Sequence, residues 1–139
     1  MHRACEGYPL ACVPRVGEKT PAMDRLLRAT INSWNGLKAA IRTEAAFRQE
    51  IAVLLVAIPL AFVIGQTAWT RLALIGVVVL LMVVELLNTA IEKLSDRVSR
   101  EIDTQIGTVK DIGSAAVGLS LLLVGAVWLL ALAQRLGLM

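Results

Sequence analysis

Histidine, cysteine and aromatic residues are scarce in this chain. Of its 139 residues one is His and two are Cys, and Phe, Trp and Tyr together make up 4%. His2, Cys5 and Cys12 all stand at the extreme N-terminus, so the rest of the length has no zinc ligand set and no disulfide. A reducing compartment would keep the two cysteines as thiols. There is no glycine-rich phosphate loop, no Walker lysine and no protein-kinase signature, so any handling of nucleotide must use a different construction. Residues 1–22 contain no apolar run long enough for a signal peptide. Internal repeats and low-complexity tracts are absent.

What is present is apolar. Hydrophobic residues make up 57% of the chain and its mean hydropathy is +0.70, too much for a soluble domain of this size. Three stretches, about 46–64, 72–91 and 112–133, reach the ~20 mostly apolar residues that a helix needs to cross a bilayer. The first is the weakest, because it begins in the charged stretch 44–50. Before it, residues 24–43 repeat Leu26, Leu27, Thr30, Ile31, Trp34, Leu37 and Ile41 at helical spacing, with Arg25, Arg28, Lys38 and Arg42 mostly elsewhere on the wheel. This pattern predicts a helix lying on the membrane surface. The expected fold is an all-α membrane protein with three transmembrane helices and one amphipathic surface helix. The second helix is expected to run on past the membrane, with a loop at 103–108 around Gly107 and with Lys110 and Asp111 at the mouth of the third span. Residues 1–22, with Pro9, Pro14 and Pro21, read as a disordered tail before a domain covering 23–139, and Met23 offers an alternative start for that domain.

Basic residues set the orientation. Arg25, Arg28, Lys38, Arg42 and Arg48 precede the first span, and Lys93, Arg97, Arg100 and Lys110 lie between the second and third. Only Arg71 and Arg135 flank the other side. The positive-inside rule places the N-terminus in the cytoplasm and the 65–71 turn and C-terminus outside, with Trp69 and Trp128 near that outer boundary. The net charge of +3 follows from this asymmetry and from contact with anionic headgroups. It does not point to nucleic acid.

Glu85 ends the apolar run 72–84, where a charge costs about 3 kcal/mol or more and is therefore a hypothesis about function. At about 100° per residue, Glu85, Asn88, Thr89, Glu92 and Asp96 form one polar stripe. Two explanations fit it. The stripe could pack helix against helix in an oligomer, its carboxylates paired to Lys or Arg. Alternatively, oxygen-only carboxylates near Lys110 suit Mg²⁺ held together with a substrate's phosphates. Ser114, Gly118 and Gly125 share roughly one face and are expected to serve close helix packing. Arg97 and Arg100 read as solvated.

Four segments carry a family likeness: Glu44-Ala-Ala-Phe-Arg-Gln-Glu50, Val84-Glu-Leu-Leu-Asn-Thr-Ala-Ile-Glu92, Asp96-Arg97 and Lys110-Asp-Ile-Gly-Ser-Ala-Ala116. In order and spacing they resemble the successive motifs of the prokaryotic diacylglycerol kinase family, over nearly all of the chain from Asp24 onward. The resemblance implies a homotrimeric inner-membrane enzyme that transfers the γ-phosphoryl group of MgATP to diacylglycerol, with active sites shared between chains. It makes Glu85 the catalytic base and Glu44 and Glu92 the magnesium ligands. It assigns Arg25, Asn32, Glu44, Glu92, Glu101, Asp103, Lys110 and Asp111 to ATP, with Asn88 and Asp96 in support. Arg25, Ser33, Trp34, Phe47, Arg48, Gln49, Glu50, Glu85 and Ser114 match positions linked to the lipid substrate or to site architecture. Related enzymes of this architecture phosphorylate undecaprenol, which is the alternative lipid. A small multidrug transporter also carries a membrane Glu, but with four spans and the Glu in the first.

Overall fold

The computed structural model describes residues 22–98 and 104–138. The tail with His2, Cys5 and Cys12 and the connecting residues Arg100, Glu101 and Asp103 lie outside the described residues. Four helices account for nearly all of the described part: α1 (Ala22–Thr43), α2 (Ala45–Ile64), α3 (Ala68–Val98) and α4 (Thr104–Arg135). The last three are long and apolar enough to cross a membrane, as the sequence predicts. The chain divides into two compact units, one ending at Gly36 and one from Leu37 onward. On α1 the apolar residues Leu26, Leu27, Ile31 and Trp34 are exposed, as expected of a helix whose apolar face lies in a membrane interface.

In the second unit α3 is the middle helix. It packs along both α2 and α4, which barely meet each other. Its buried residues are Leu74, Val78, Leu81, Asn88 and Ser95, and their spacing is that of a heptad seam, steps of four and three repeated. Half-buried Glu85 and Glu92 fall on the two remaining steps of that seam. One half is therefore apolar and the other polar. At the apolar end Leu74 meets Ala61 of α2 and Ala131 of α4, with Ile64, Ile75, Val127 and Trp128 packed around them. The small alanines let the backbones approach closely, which is how helices associate when lipid is as apolar as Leu. The Trp128 indole N–H donates to the Leu74 carbonyl at 3.2 Å, tying α4 to α3. Farther along, a lateral apolar groove of about 480 Å³ opens between α2 and α4 over Val78, lined by Ala52, Val56, Leu60 and Val124 among others.

The turns differ from the sequence expectation in two places. The turn between α2 and α3 takes only residues 65–67, not 65–71, because the Thr67 hydroxyl accepts the Thr70 N–H at 3.1 Å and starts α3 early. The loop expected at 103–108 is already helix from Thr104, including Gly107. One glycine costs a helix about 1 kcal/mol, too little to stop a helix whose downstream turns are anchored in the span. α3, at 31 residues, is roughly 46 Å long against a hydrocarbon core of about 30 Å, so its polar end projects beyond the core.

Gly65 closes α2 with its N–H on the Ala61 carbonyl at 2.9 Å, and its own carbonyl accepts from the Arg71 Nε at 2.9 Å. The Arg71 guanidinium also stands 5.3 Å from the centre of the Phe62 ring. A Cβ at Gly65 would come within 2.6 Å of the Ala61 carbonyl oxygen and 2.7 Å of the Arg71 Cγ. Gly65→Ala is therefore expected to destabilise the folded chain by about 1–3 kcal/mol, read as a lowered thermal midpoint in detergent micelles.

Candidate functional site

The polar end of the bundle begins where α1 stops. Glu44 has extended backbone (φ −104°, ψ 116°) between the helical Thr43 and Ala45, and breaks what would otherwise be one long helix. Arg48 reaches back across the break, its Nη1 donating to the Ile41 carbonyl at 3.3 Å, which satisfies one of the end carbonyls that a helix leaves open. Phe47 is buried at 3% exposure and fixes the start of α2. The Glu44 side chain is held by α3: Lys93 Nζ lies 2.7 Å from its Oε1. The same ammonium donates to the Thr43 hydroxyl at 3.0 Å, and that hydroxyl donates to Glu44 Oε1 at 2.6 Å. These three polar groups form a closed ring joining the α1–α2 break to α3.

Along α3 the polar half of the seam follows. Asn88, 8% exposed, donates its Nδ2–H to Glu92 Oε1 at 3.0 Å. Its Oδ1 is buried without a partner and faces Gly113 of α4, where an added Cβ would collide with it. Gly113 is thus the glycine that lets α4 approach the stripe. The Ser114, Gly118 and Gly125 face is not the packing face within the chain: Ser114 and Gly118 are exposed, and a Cβ on Gly118 or Gly125 would meet nothing within 4 Å. The reason is angular, since α3 runs past Gly113, a full residue turn away from that face. Glu50 on α2 is half-buried with a buried, unpartnered Oε2. It lies close enough to Glu85 to feel its charge, as Glu85 feels those of Glu92 and Glu44. A second ion pair, Lys110 Nζ to Asp96 Oδ1 at 2.5 Å, bridges α4 and α3 near the mouth.

Of the residues singled out in the sequence, Glu44, Glu50, Glu85, Asn88, Glu92, Asp96 and Lys110 belong to this polar end. Phe47 and Arg48 support the break, while Gln49, Asp111 and Ser114 are exposed beside it. Arg25, Asn32, Ser33 and Trp34 stand exposed on the part of α1 that belongs to the first unit. Glu101 and Asp103 lie outside the described residues. The sequence reading missed Lys93, which it counted only toward orientation, and Thr43 and Gly113. Lys93 has one local signal, a basic residue next to an acidic one on a polar stripe, but its partner is far away in sequence.

The groups at this end that could ligate a cation are all oxygens, chiefly the carboxylates of Glu44 and Glu92. Among the described residues no group of three or more His, Cys, Asp or Glu stands together as a ready-made metal cage. That donor set fits Mg²⁺, which is usually held by one or two carboxylates and completes its octahedron with water and substrate phosphates. Glu44 lies outside the spans, and the Lys93 and Thr43 hydrogen bonds hold its carboxyl below the usual carboxylate range.

Comparison with known proteins identifies relatives along most of the chain. Residues 31–132 match the profile of the family described as prokaryotic diacylglycerol kinase. The diacylglycerol kinase of Escherichia coli is 39% identical over 122 residues, covering 88% of this chain and all of that protein. Those of Haemophilus influenzae and Pseudomonas aeruginosa are 41% and 42% identical, covering 79% and 76% of this chain and 93% and 86% of their own lengths.

Two outcomes follow from the geometry. Gly113→Ala should push Asn88 off Glu92 and cost about 1–3 kcal/mol of stability, read by thermal denaturation. Because the Glu44 carboxyl is held low in the folded chain, its contribution to stability is complete above its ordinary value of 4.5 and is lost as pH falls through the lowered one. The thermal midpoint should therefore drop on the acid side, and Glu44→Gln should remove that part of the slope.

Proposed function

Since the chain belongs to the prokaryotic diacylglycerol kinase family, we propose that it transfers the γ-phosphoryl group of ATP to the free hydroxyl of diacylglycerol, forming phosphatidic acid and ADP. The observation that carries this is the seam of α3, where Glu85, Asn88 and Glu92 lead from bilayer depth to the charged mouth around Glu44 and Lys110. A lipid hydroxyl arrives from the membrane and ATP from water, so the two substrates must meet along such a line. Glu85 takes the hydroxyl proton as the oxygen–phosphorus bond forms and the bond from the γ-phosphorus to the bridging oxygen of ADP breaks. A carboxylate withdrawn from water accepts such a proton more readily than one at the surface. Asn88 keeps Glu92 in place, and Glu44 and Glu92 are the carboxylates that would hold Mg²⁺. When bound, the metal neutralises charge on the phosphates. Lys110, with Asp96 as its resting partner, adds positive charge at the nucleotide. Arg25, Asn32, Glu101, Asp103 and Asp111 complete the proposed nucleotide set, and Ser33, Trp34, Gln49, Glu50 and Ser114 the lipid side.

The working form is a homotrimer with sites shared between chains, in the bacterial inner membrane with the N-terminus cytoplasmic and the C-terminus periplasmic. The basic residues before α2 and around the α3–α4 connection favour that orientation. Large apolar residues on α4, such as Leu119, Leu122 and Leu129, are exposed in the single chain, which leaves surface for lipid or a second copy.

The test is phosphorylation by purified protein in lipid-containing micelles, with dioleoylglycerol and undecaprenol offered side by side. Magnesium-dependent formation of phosphatidic acid is expected, and Glu85→Gln should reduce turnover by roughly 10²–10⁴-fold while the thermal midpoint holds. Labelling of undecaprenol alone would keep the mechanism and change the lipid.

A further inference from the structure

Lys93 takes no part in the proposed transfer, yet it is the cation paired with Glu44. Its ammonium lies 2.7 Å from the oxygen that would serve a divalent cation, and it is half-exposed while Glu44 is more enclosed. An ammonium at that range repels a divalent cation approaching the same carboxylate, so cation binding is favoured when the ammonium moves to another acceptor. The polar end carries Glu44, Glu50, Glu85 and Glu92, an unwelcoming surround for a polyanion unless ammonium groups meet it. Lys93 has a flexible four-carbon stem and three donors, and among the described residues it is seen on Glu44 and Thr43. Lys110, already paired to Asp96 across α3 and α4, shows the same resting arrangement.

Resting on the nucleotide role given to Glu44 above, we infer that Lys93 is an exchangeable counter-ion: it covers Glu44 while the site is empty and moves onto the nucleotide's phosphate oxygens when the metal–nucleotide complex binds. No bond to phosphorus changes in this step. One charge-assisted pair on Glu44 is replaced by another on phosphate, and the carboxylate is freed for the cation. Lys93 is thus a nucleotide-binding residue that couples cation entry to the presence of a polyphosphate. It disfavours the cation alone and favours the two together.

This coupling gives opposite signs in one variant. In Lys93→Met, full-length and purified in micelles, Mn²⁺ alone should bind several-fold tighter, because Glu44 has lost its competitor; the readout is the free-ion Mn²⁺ resonance signal. Mg²⁺-ADP should bind roughly tenfold weaker, as befits one lost charged hydrogen bond, read by calorimetry. In the kinase assay KM for ATP should rise by a similar factor, with kcat and KM for the lipid within about twofold. Lys93→Arg, which keeps the charge, should recover most of the nucleotide affinity. If Lys93→Met lowers only the thermal midpoint and leaves both affinities unchanged, Lys93 is a strap between α1–α2 and α3 and the inference is overturned. Glu44→Gln separates the two levels. If it leaves the magnesium dependence of nucleotide binding intact, the role of Glu44 falls and the exchange with it. If it abolishes that dependence while Lys93→Met binds normally, only the exchange falls.

Discussion

A carboxylate at bilayer depth must be enclosed by protein, and the architecture of this chain follows from that requirement at Glu85. Hydrocarbon offers no hydrogen bonds and little dielectric screening, so a charge there must face a packed or hydrated interior. The chain meets this by placing Glu85 and Glu92 on the packing seam of α3 and flanking that helix with α2 and α4. The same register that presents Leu74, Val78 and Leu81 for packing presents the acids farther along. Packing and the candidate site therefore share one helix face. A shift of a residue or two in that face would send both the core and the carboxylates toward lipid.

The second constraint is the break at Glu44. An unbroken helix through residues 22–64 could not both follow a membrane surface and cross the membrane. One extended residue ends α1 and lets α2 begin, and Arg48, Phe47 and the ring of Lys93, Thr43 and Glu44 hold it. The residue that interrupts the helix is also the one proposed to meet the cation, so the position of the site is tied to where α1 ends. Asn88 has a similar double part. It is tight against Gly113 and bonded to Glu92, so α4 is in close contact with α3 at the polar residue that holds an acid.

Much of this was legible beforehand because membrane insertion depends on coarse properties of sequence. Apolar length gave the three spans, and helical periodicity gave the amphipathic α1 and the Glu85–Asn88–Glu92 stripe. Local chemistry was read less well. Gly107 reads as a loop in isolation but is carried within α4, and Thr67 shortens a turn expected to extend to Arg71. The Ser114, Gly118 and Gly125 face looked like the packing face, but Gly113 beside it is the one that meets α3. Neighbouring residues differ by only about 100° on the wheel, and composition alone does not choose between them.

By itself the sequence determined the number and type of helices, the break in polarity along α3 and the kinds of side chain at its polar end, because each depends on residues near one another in the chain. Only the tertiary structure decided which of them meet. Lys93 against Glu44, Gly113 against Asn88, and Lys110 against Asp96 are pairings across helices. They depend on the rotation and axial offset of one helix against the next, which are set by how small and large side chains interlock along the seam rather than by any period within a single helix.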